Sequence, residues 1–476
     1  MEKLTPMPSD TNPQKAPQQS PEERPAAKHS LTEGSIKDAL IRMTIPMILG
    51  MFMMFTFSLV DTFFVSLLGT QSLTAISFTF PVTFTIMSLA IGLGVGASAV
   101  VAKYLGREDR ERAKESSTVI NYVALLFAAA LIAGCWFFMT PLFTLMGADA
   151  ELLQLIRQYM GVWFPGSVLL VGLMTANSIL RAHGDSKTPS LIMAGSGLIN
   201  ALLDPLLIFG YGPVPAMGIA GAAYATLAAW VLGYGYLFYH LAFRHELIST
   251  TLPSWKIMSS SAREMLRIGL PAAGANMMTP LAMGTMTAIA AGFGTSVVAA
   301  FGVGARLEPI ATLLVLAMSS TLPPLISQNY GAGRLDRIRE AYAMSLRFIV
   351  IWQLLIYLFL ILAAPWIARL FSSDPEVLEV IELFIWILPI GYGMQGIIIL
   401  SNSSLNAMHR PMSALYLSIA RFFVFYVPLA YVGSRLYGIS GFFAGAVCAN
   451  VLMAGVSAFT VKRALISEMS QQDSPE

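Results

Sequence analysis

Four polar residues in otherwise apolar sequence offer chemistry: Asp61, Asp204, Asn200 and Thr226. Asp61 lies in PMILGMFMMFTFSLVDTFFVSLLG (46–69), long enough to cross a bilayer and apolar apart from that carboxylate. A charge at membrane depth costs roughly 2.5–3.5 kcal/mol on insertion scales, so it marks a function and calls for a partner. Asp204 lies in INALLDPLLIFG (199–210). Asp61 is eight residues from Gly69 and Asp204 six from Gly210, which sets both carboxylates roughly 9–12 Å below the same end of their helices. Asn200 stands one turn from Asp204 on the same face. Thr226, about 16 Å into the next segment, reaches the level of Asn200. Two carboxylates close together in low dielectric do not both stay ionised, so such a pair takes up a proton, and the same oxygens suit Na⁺. The plain alternative has Asp61 capping a broken helix end and Asp204 bonding a hydroxyl elsewhere.

The elements that must hold these residues are membrane helices. Of 476 residues, 56% are hydrophobic and 12% charged, against about 25% charged in soluble domains. The apolar side chains therefore face lipid as well as a core. A net charge of +2 argues against nucleic-acid binding. Cys135 and Cys448 sit in apolar runs without metal-ligand spacing and are expected to be buried small hydrophobes. No metal or cofactor is implied, because GxxxxGK[ST], GxSxG, HExxH and Cys/His clusters are all missing from the sequence. GLGVGASA (92–99) has no strand before it and reads as close helix packing.

Twelve spans are expected, at 40–68, 73–104, 117–139, 151–180, 189–210, 215–242, 264–292, 296–329, 341–364, 377–405, 412–433 and 439–464. Thr188-Pro189 is expected to open the fifth. Lys and Arg gather in the two tails and in the loops after the even-numbered spans, as in Lys103, Arg107, Arg110, Arg112 and Lys114 and again in Arg334, Arg337, Arg339 and Arg347. Both termini should therefore be cytoplasmic. Arg157, Arg369 and Arg435 are the exceptions on the other side. Residues 1–35 are polar and rich in Pro, Gln, Glu and Lys, expected as a disordered tail and not a signal peptide; 466–476 form a second tail.

The sequence repeats at an offset of about 225 residues. Pro46 aligns with Pro271, Gly69-Thr70 with Gly294-Thr295, GREDRER (106–112) with GRLDRIR (333–339), and Pro205 with Pro428. The fold class follows: an all-α integral membrane protein of twelve helices in two six-helix lobes, 36–245 and 263–465, joined by a loop at 246–262. Six is even, so the halves share one orientation about a pseudo-twofold along the membrane normal. Asp61 falls opposite Met286, and Asp204 opposite about Val427. The acids belong to the first lobe alone, so the shared fold does not require them.

In the second lobe, Arg306 and Glu308 are two apart and do not share a helix face. Glu308 offers a negative charge to a cationic substrate, or else a structural ion pair with Arg306 or Arg421. Gln395, Tyr392 and Asn276 are placed at the cavity wall. Methionines mostly pack or face lipid, and Met193 is assigned to an adaptable cavity.

With P-x14-D in the first helix, GREDRERA, LRAHGDSKTP (180–189), NALLDPLLIFG, GIAGAAYAT (218–226) and PPLISQNYGAGRLDR (323–337), the chain resembles the MATE family of multidrug and toxic-compound extruders over residues 36–465. The resemblance implies the DinF-type cation site, matched by Asp61, Asp204, Asn200 and Thr226. It also implies cavity roles for Tyr159 and Asn177 and a bend of the first helix at Pro46. Other branches use a Glu in the seventh helix and an Asp in the tenth for Na⁺. This chain has Glu264 at the inner end of the seventh, and Glu379 and Glu382 near the outer end of the tenth, so coupling falls to the first lobe.

The expected function is H⁺- or Na⁺-coupled antiport of amphipathic or cationic small molecules by a monomer in a bacterial inner membrane. A lipid-linked oligosaccharide flippase of the wider superfamily would be expected to have a more basic cavity than Arg306 and Arg421 provide. An intramembrane aspartyl protease would show YD and GxGD around its acids, where this chain has VDT and LDP. No enzyme is expected.

Overall fold

The computed structural model describes residues 31–249, 251 and 253–472. The expectation for residues 1–30 and 473–476 lies outside that range. The described residues are mostly helical, because in lipid every backbone N–H and C=O must find a partner within its own segment. The first lobe contains α1 (Ile36–Ser66), α2 (Thr70–Gly106), α3 (Arg110–Phe137), the short α4 (Met139–Leu145), α5 (Ala150–Ala182), α6 (Lys187–Phe209) and α7 (Ile219–Tyr239). The second contains α8 (Trp255–Ala291), α9 (Thr295–Ala311), α10 (Leu313–Gly331), α11 (Leu335–Phe371), α12 (Pro375–Ile387), α13 (Tyr392–Ala407), α14 (Pro411–Ile419) and α15 (Val427–Gln472).

Twelve spans result once the breaks are followed. The α9–α10 pair bends by 46° and is one broken span. A 3₁₀ turn at Leu388–Gly391 joins α12 to α13. α15 doubles back at Tyr437 and Gly438, where the backbone leaves the helical region. Gly433 then lies against Gly441, and Gly445 against Leu429, leaving no room for a Cβ. Large apolar side chains such as Leu126, Phe359 and Leu362 stay exposed along the outside of the bundle.

Several boundaries move. α6 begins at Lys187, before Thr188-Pro189, and Asp185 Oδ1 accepts the Thr188 amide at 3.0 Å. α8 starts at Trp255, so half of the expected inter-lobe loop is helix. Residues 466–472 continue α15, and Glu468 there accepts Arg410 at 2.8 Å. Leu31 is fully buried, and its amide donates to Gln328 Oε1, so the first tail is anchored from there on. Cys448 is exposed, not buried, because the lipid face of a membrane helix tolerates any apolar side chain.

The repeat is visible in the backbone. Gly69 and Gly294 share positive φ (102° and 113°), as do Gly218 and Gly438 (56° and 63°). At the basic loops the structure pairs Gly106 with Gly331, each the last residue of its helix, so the sequence match to Gly333 is two residues out of register.

The lobes meet at the end of the bundle that carries both termini. Gly106 abuts the Gln328 carbonyl, and Gly331 abuts the Lys103 carbonyl, with no space for a side chain at either position. Gly92 and Gly96 in α2 pack as closely against Gly269, Ala273 and Met265 in α8, which is the reason for the small residues of 92–99. Lys103 Nζ reaches Glu264 at 2.7 Å, Thr44 bonds Thr321 at 2.9 Å, and Gln328 Nε2 donates to the Ala182 carbonyl at 2.7 Å. Among the described residues, every hydrogen bond between lobes lies in this half. The far half of the lobe boundary carries none of these bonds among the described residues.

Candidate functional site

α1 and α6 pack side by side, and α7 packs on α6. The carboxyls of Asp61 on α1 and Asp204 on α6 face each other within hydrogen-bonding reach. Asp204 is fully buried and Asp61 partly so. Asn200, one turn below Asp204, spans the group: its Nδ2 donates to Asp204 Oδ1 at 3.4 Å and to Thr226 Oγ1 at 3.2 Å. Tyr159, on α5, lies beside both carboxyls. Asp61 Oδ1 and Asp204 Oδ2 are buried and receive no donor. Two facing carboxyls that each keep a buried, undonated oxygen are suited to a shared proton or a small cation.

An apolar roof covers this group on the side of the far end. Val65, Ile208 and Ala222 form one buried cluster, with Phe64, Leu68, Ile76 and Tyr159 against it. Val65 is one turn beyond Asp61, Ile208 one turn beyond Asp204, and Ala222 one turn before Thr226 on a helix of opposite direction. The same spacing that stacks the polar groups stacks their cover.

Other expected residues fall elsewhere. Asn177 is buried, 1% exposed, and stands eighteen residues along α5 from Tyr159, which is roughly 27 Å. It is not part of the acid cluster. Met193 is half-buried on α6, two turns below Asn200. Pro46 sits within a continuous α1, where its ring removes one backbone hydrogen bond.

In the second lobe, Gln395 Nε2 donates to Glu308 Oε1 at 2.6 Å. Arg421 lies behind them in a π-helical stretch, Ala420–Tyr426, with Nη2 on Asn450 Oδ1 at 3.2 Å and the guanidinium 4.8 Å from the Phe422 ring centroid. Glu308 forms no ion pair with Arg306, which is exposed on the other side of α9. Tyr392 is buried and so stands behind the cavity wall. Sequence reading missed the contacts of Glu264 with Lys103 and His409, because it ranked charges by membrane depth and these lie at the basic end.

A duplicated twelve-helix bundle with a carboxylate pair in one lobe has the architecture of a secondary transporter. The chain belongs to the MatE family, whose model matches residues 46–206 and 271–432, one copy in each lobe. Over 430 residues it is 41% identical to a protein named FAD transporter from Shewanella oneidensis, covering 90% of this chain and 94% of that one. It is 26% identical to the probable multidrug resistance protein YpnP of Bacillus subtilis, covering 87% and 92%. The crystal structure of the Vibrio cholerae MATE transporter VcmN in the bent form matches with a TM-score of 0.87 at 32% identity, over 91% of this chain and 98% of that one. A MOP superfamily transporter from Pyrococcus furiosus matches with a TM-score of 0.84 at 27% identity, over 92% and 98%.

Proposed function

We propose that this MATE transporter is a cation-coupled antiporter of a bacterial inner membrane, with both termini in the cytoplasm and a cleft between the lobes open to the outside. The observation that carries the reading is the facing pair Asp61 and Asp204, bridged to Thr226 by Asn200. An external H⁺ or Na⁺ taken by the pair alters the packing of α1 against α6. The proline at Pro46 gives α1 a point at which to bend. Occupancy thereby biases the equilibrium between outward- and inward-open states. The basic loops support the orientation.

For the cargo, the relative named FAD transporter is the stronger guide, at 41% identity over nearly the whole chain. We therefore place FAD first among cargoes. Amphipathic cations come second, supported by relatives with multidrug names at 22–26% identity. The test is transport in proteoliposomes with a pH gradient and a Na⁺ gradient imposed separately, for FAD and for a cationic dye. Uptake should follow one gradient and disappear in Asp61→Asn and Asp204→Asn. Undiminished gradient-driven transport in both variants overturns the role given to the acids.

A further inference from the structure

We propose that Arg306 is the anion-recognition point of the cleft, binding a phosphate of the cargo while the acids of the other lobe hold the coupling cation. The inference rests on the reading above that an organic cargo enters this cleft, and it adds the lobe and the group that recognise it.

α9 begins at Thr295 directly after the far-end turn, so Arg306, eleven residues on, lies roughly 16 Å deep. Val297, Ala300, Phe301, Gly304 and Ala311 are buried and define the face of α9 that packs into the second lobe. Gly304 is pressed against the Phe384 ring, which fixes that orientation. Arg306 is on the opposite face and exposed. No Asp or Glu lies within ion-pair distance of it among the described residues. The nearby Glu308 points the other way, held by Gln395.

An unpaired guanidinium at that depth is costly against hydrocarbon, and charges of this kind almost always face the bundle interior or a water-filled cavity. The cleft is the cavity on hand. Above Arg306 on the same face, toward the mouth, come Gly302, Ala299 and Thr295. Their small size leaves the approach to the guanidinium clear. Five N–H donors in a planar fork fit a phosphate, which they bind through paired charge-assisted hydrogen bonds. A dinucleotide offers such a group; a cationic drug does not.

The experiment is equilibrium binding to the purified full-length chain in phosphate-free detergent, with FAD, FMN and riboflavin as probes, read by flavin fluorescence. It needs no gradient, so it can fail or succeed independently of the coupling mechanism. Arg306→Gln should weaken FAD and FMN by about tenfold or more and leave riboflavin unchanged, with Arg306→Lys in between. Raised salt should weaken FAD in the native chain and not in Arg306→Gln. Equal FAD affinity in native and Arg306→Gln protein overturns the proposal, as does absence of FAD binding to the native chain or an equal loss for riboflavin. If Arg306→Gln alters only the phosphatidylglycerol retained through purification, the guanidinium serves a lipid phosphate and the proposal also falls.

Discussion

The two lobes share a backbone and differ in what they place at the same points of it. Where the first has Asp61 and Asp204, facing and buried, the second has Met286, fully buried in an apolar cluster, and Val427. The second lobe places its charged group at positions unrelated to the acids of the first: Glu308 on Gln395, with Arg421 and Asn450 behind them. The positions they do share are geometric. Gly69 and Gly294, Gly218 and Gly438, and Gly106 and Gly331 serve turns and the lobe crossing in both. Duplication thus supplied a symmetric frame, and an acid pair in one half breaks the symmetry. On the proposed reading, that asymmetry lets coupling ion and cargo engage different lobes.

The largest effect should come from moving the chemistry across the axis. Asp61→Asn should reduce gradient-driven export by at least about tenfold, and adding Met286→Asp should not restore it, because that position is fully buried within an apolar cluster. Recovery of transport in the double variant would mean that the lobes are functionally interchangeable. Next in size is Gly331→Leu. It forces α2 and α10 apart at their crossing, so the outward-open population, read by labelling of cysteines placed in the cleft, should fall several-fold. Gly106→Leu should act alike if the crossing is truly symmetric.

Thr226→Val keeps the shape and removes one acceptor of the Asn200 amide. A typical hydrogen bond contributes about 0.5–1.5 kcal/mol, so transport should fall roughly two- to tenfold. Gln395→Leu tests the second lobe in the same way and should leave the ion dependence of transport unchanged. Glu264→Gln weakens the bond to Lys103, which is partly exposed, so the shift between states should correspond to at most about 1 kcal/mol.

The smallest effect concerns Asp185, in the loop between α5 and α6. Burial pushes its carboxyl up, but bonds from His245 and Thr188 outweigh that and hold it below the usual 3.8. A depressed carboxyl contributes stability in full above its unfolded value and loses it as pH falls. Asp185→Asn should therefore lower Tm modestly at neutral pH and flatten its fall below about pH 4, so that the two chains converge in acid.

Depth was legible in the sequence; direction around each helix was not. Counting residues from Gly69 and Gly210 set Asp61 and Asp204 at one level, and the single turn from Asn200 to Asp204 set those two on one face. That α1 and α6 turn these faces toward each other is a matter of helix packing, which one sequence does not encode in any short-range pattern. The breaks were hidden for a related reason. Thr312, Leu388–Gly391 and the π-helical stretch around Arg421 lie in runs as apolar as their neighbours, so hydropathy passes over them. Arg306 and Glu308 could be separated by their spacing of two, but which of them faced the cleft required the buried side of α9.

The glycine crossing at the basic end has a mechanical meaning. Gly106 on Gln328 and Gly331 on Lys103 bring backbone against backbone, with no side chain between to unpack or change rotamer. Such a crossing is a fulcrum. With the pivot near one surface of a bilayer ~30 Å thick, a tilt of about 10° moves the opposite mouth by roughly 5 Å. The leverage lies in the length of the helices, so under the proposed coupling a change as small as one proton at Asp61 and Asp204 has a long arm through which to act.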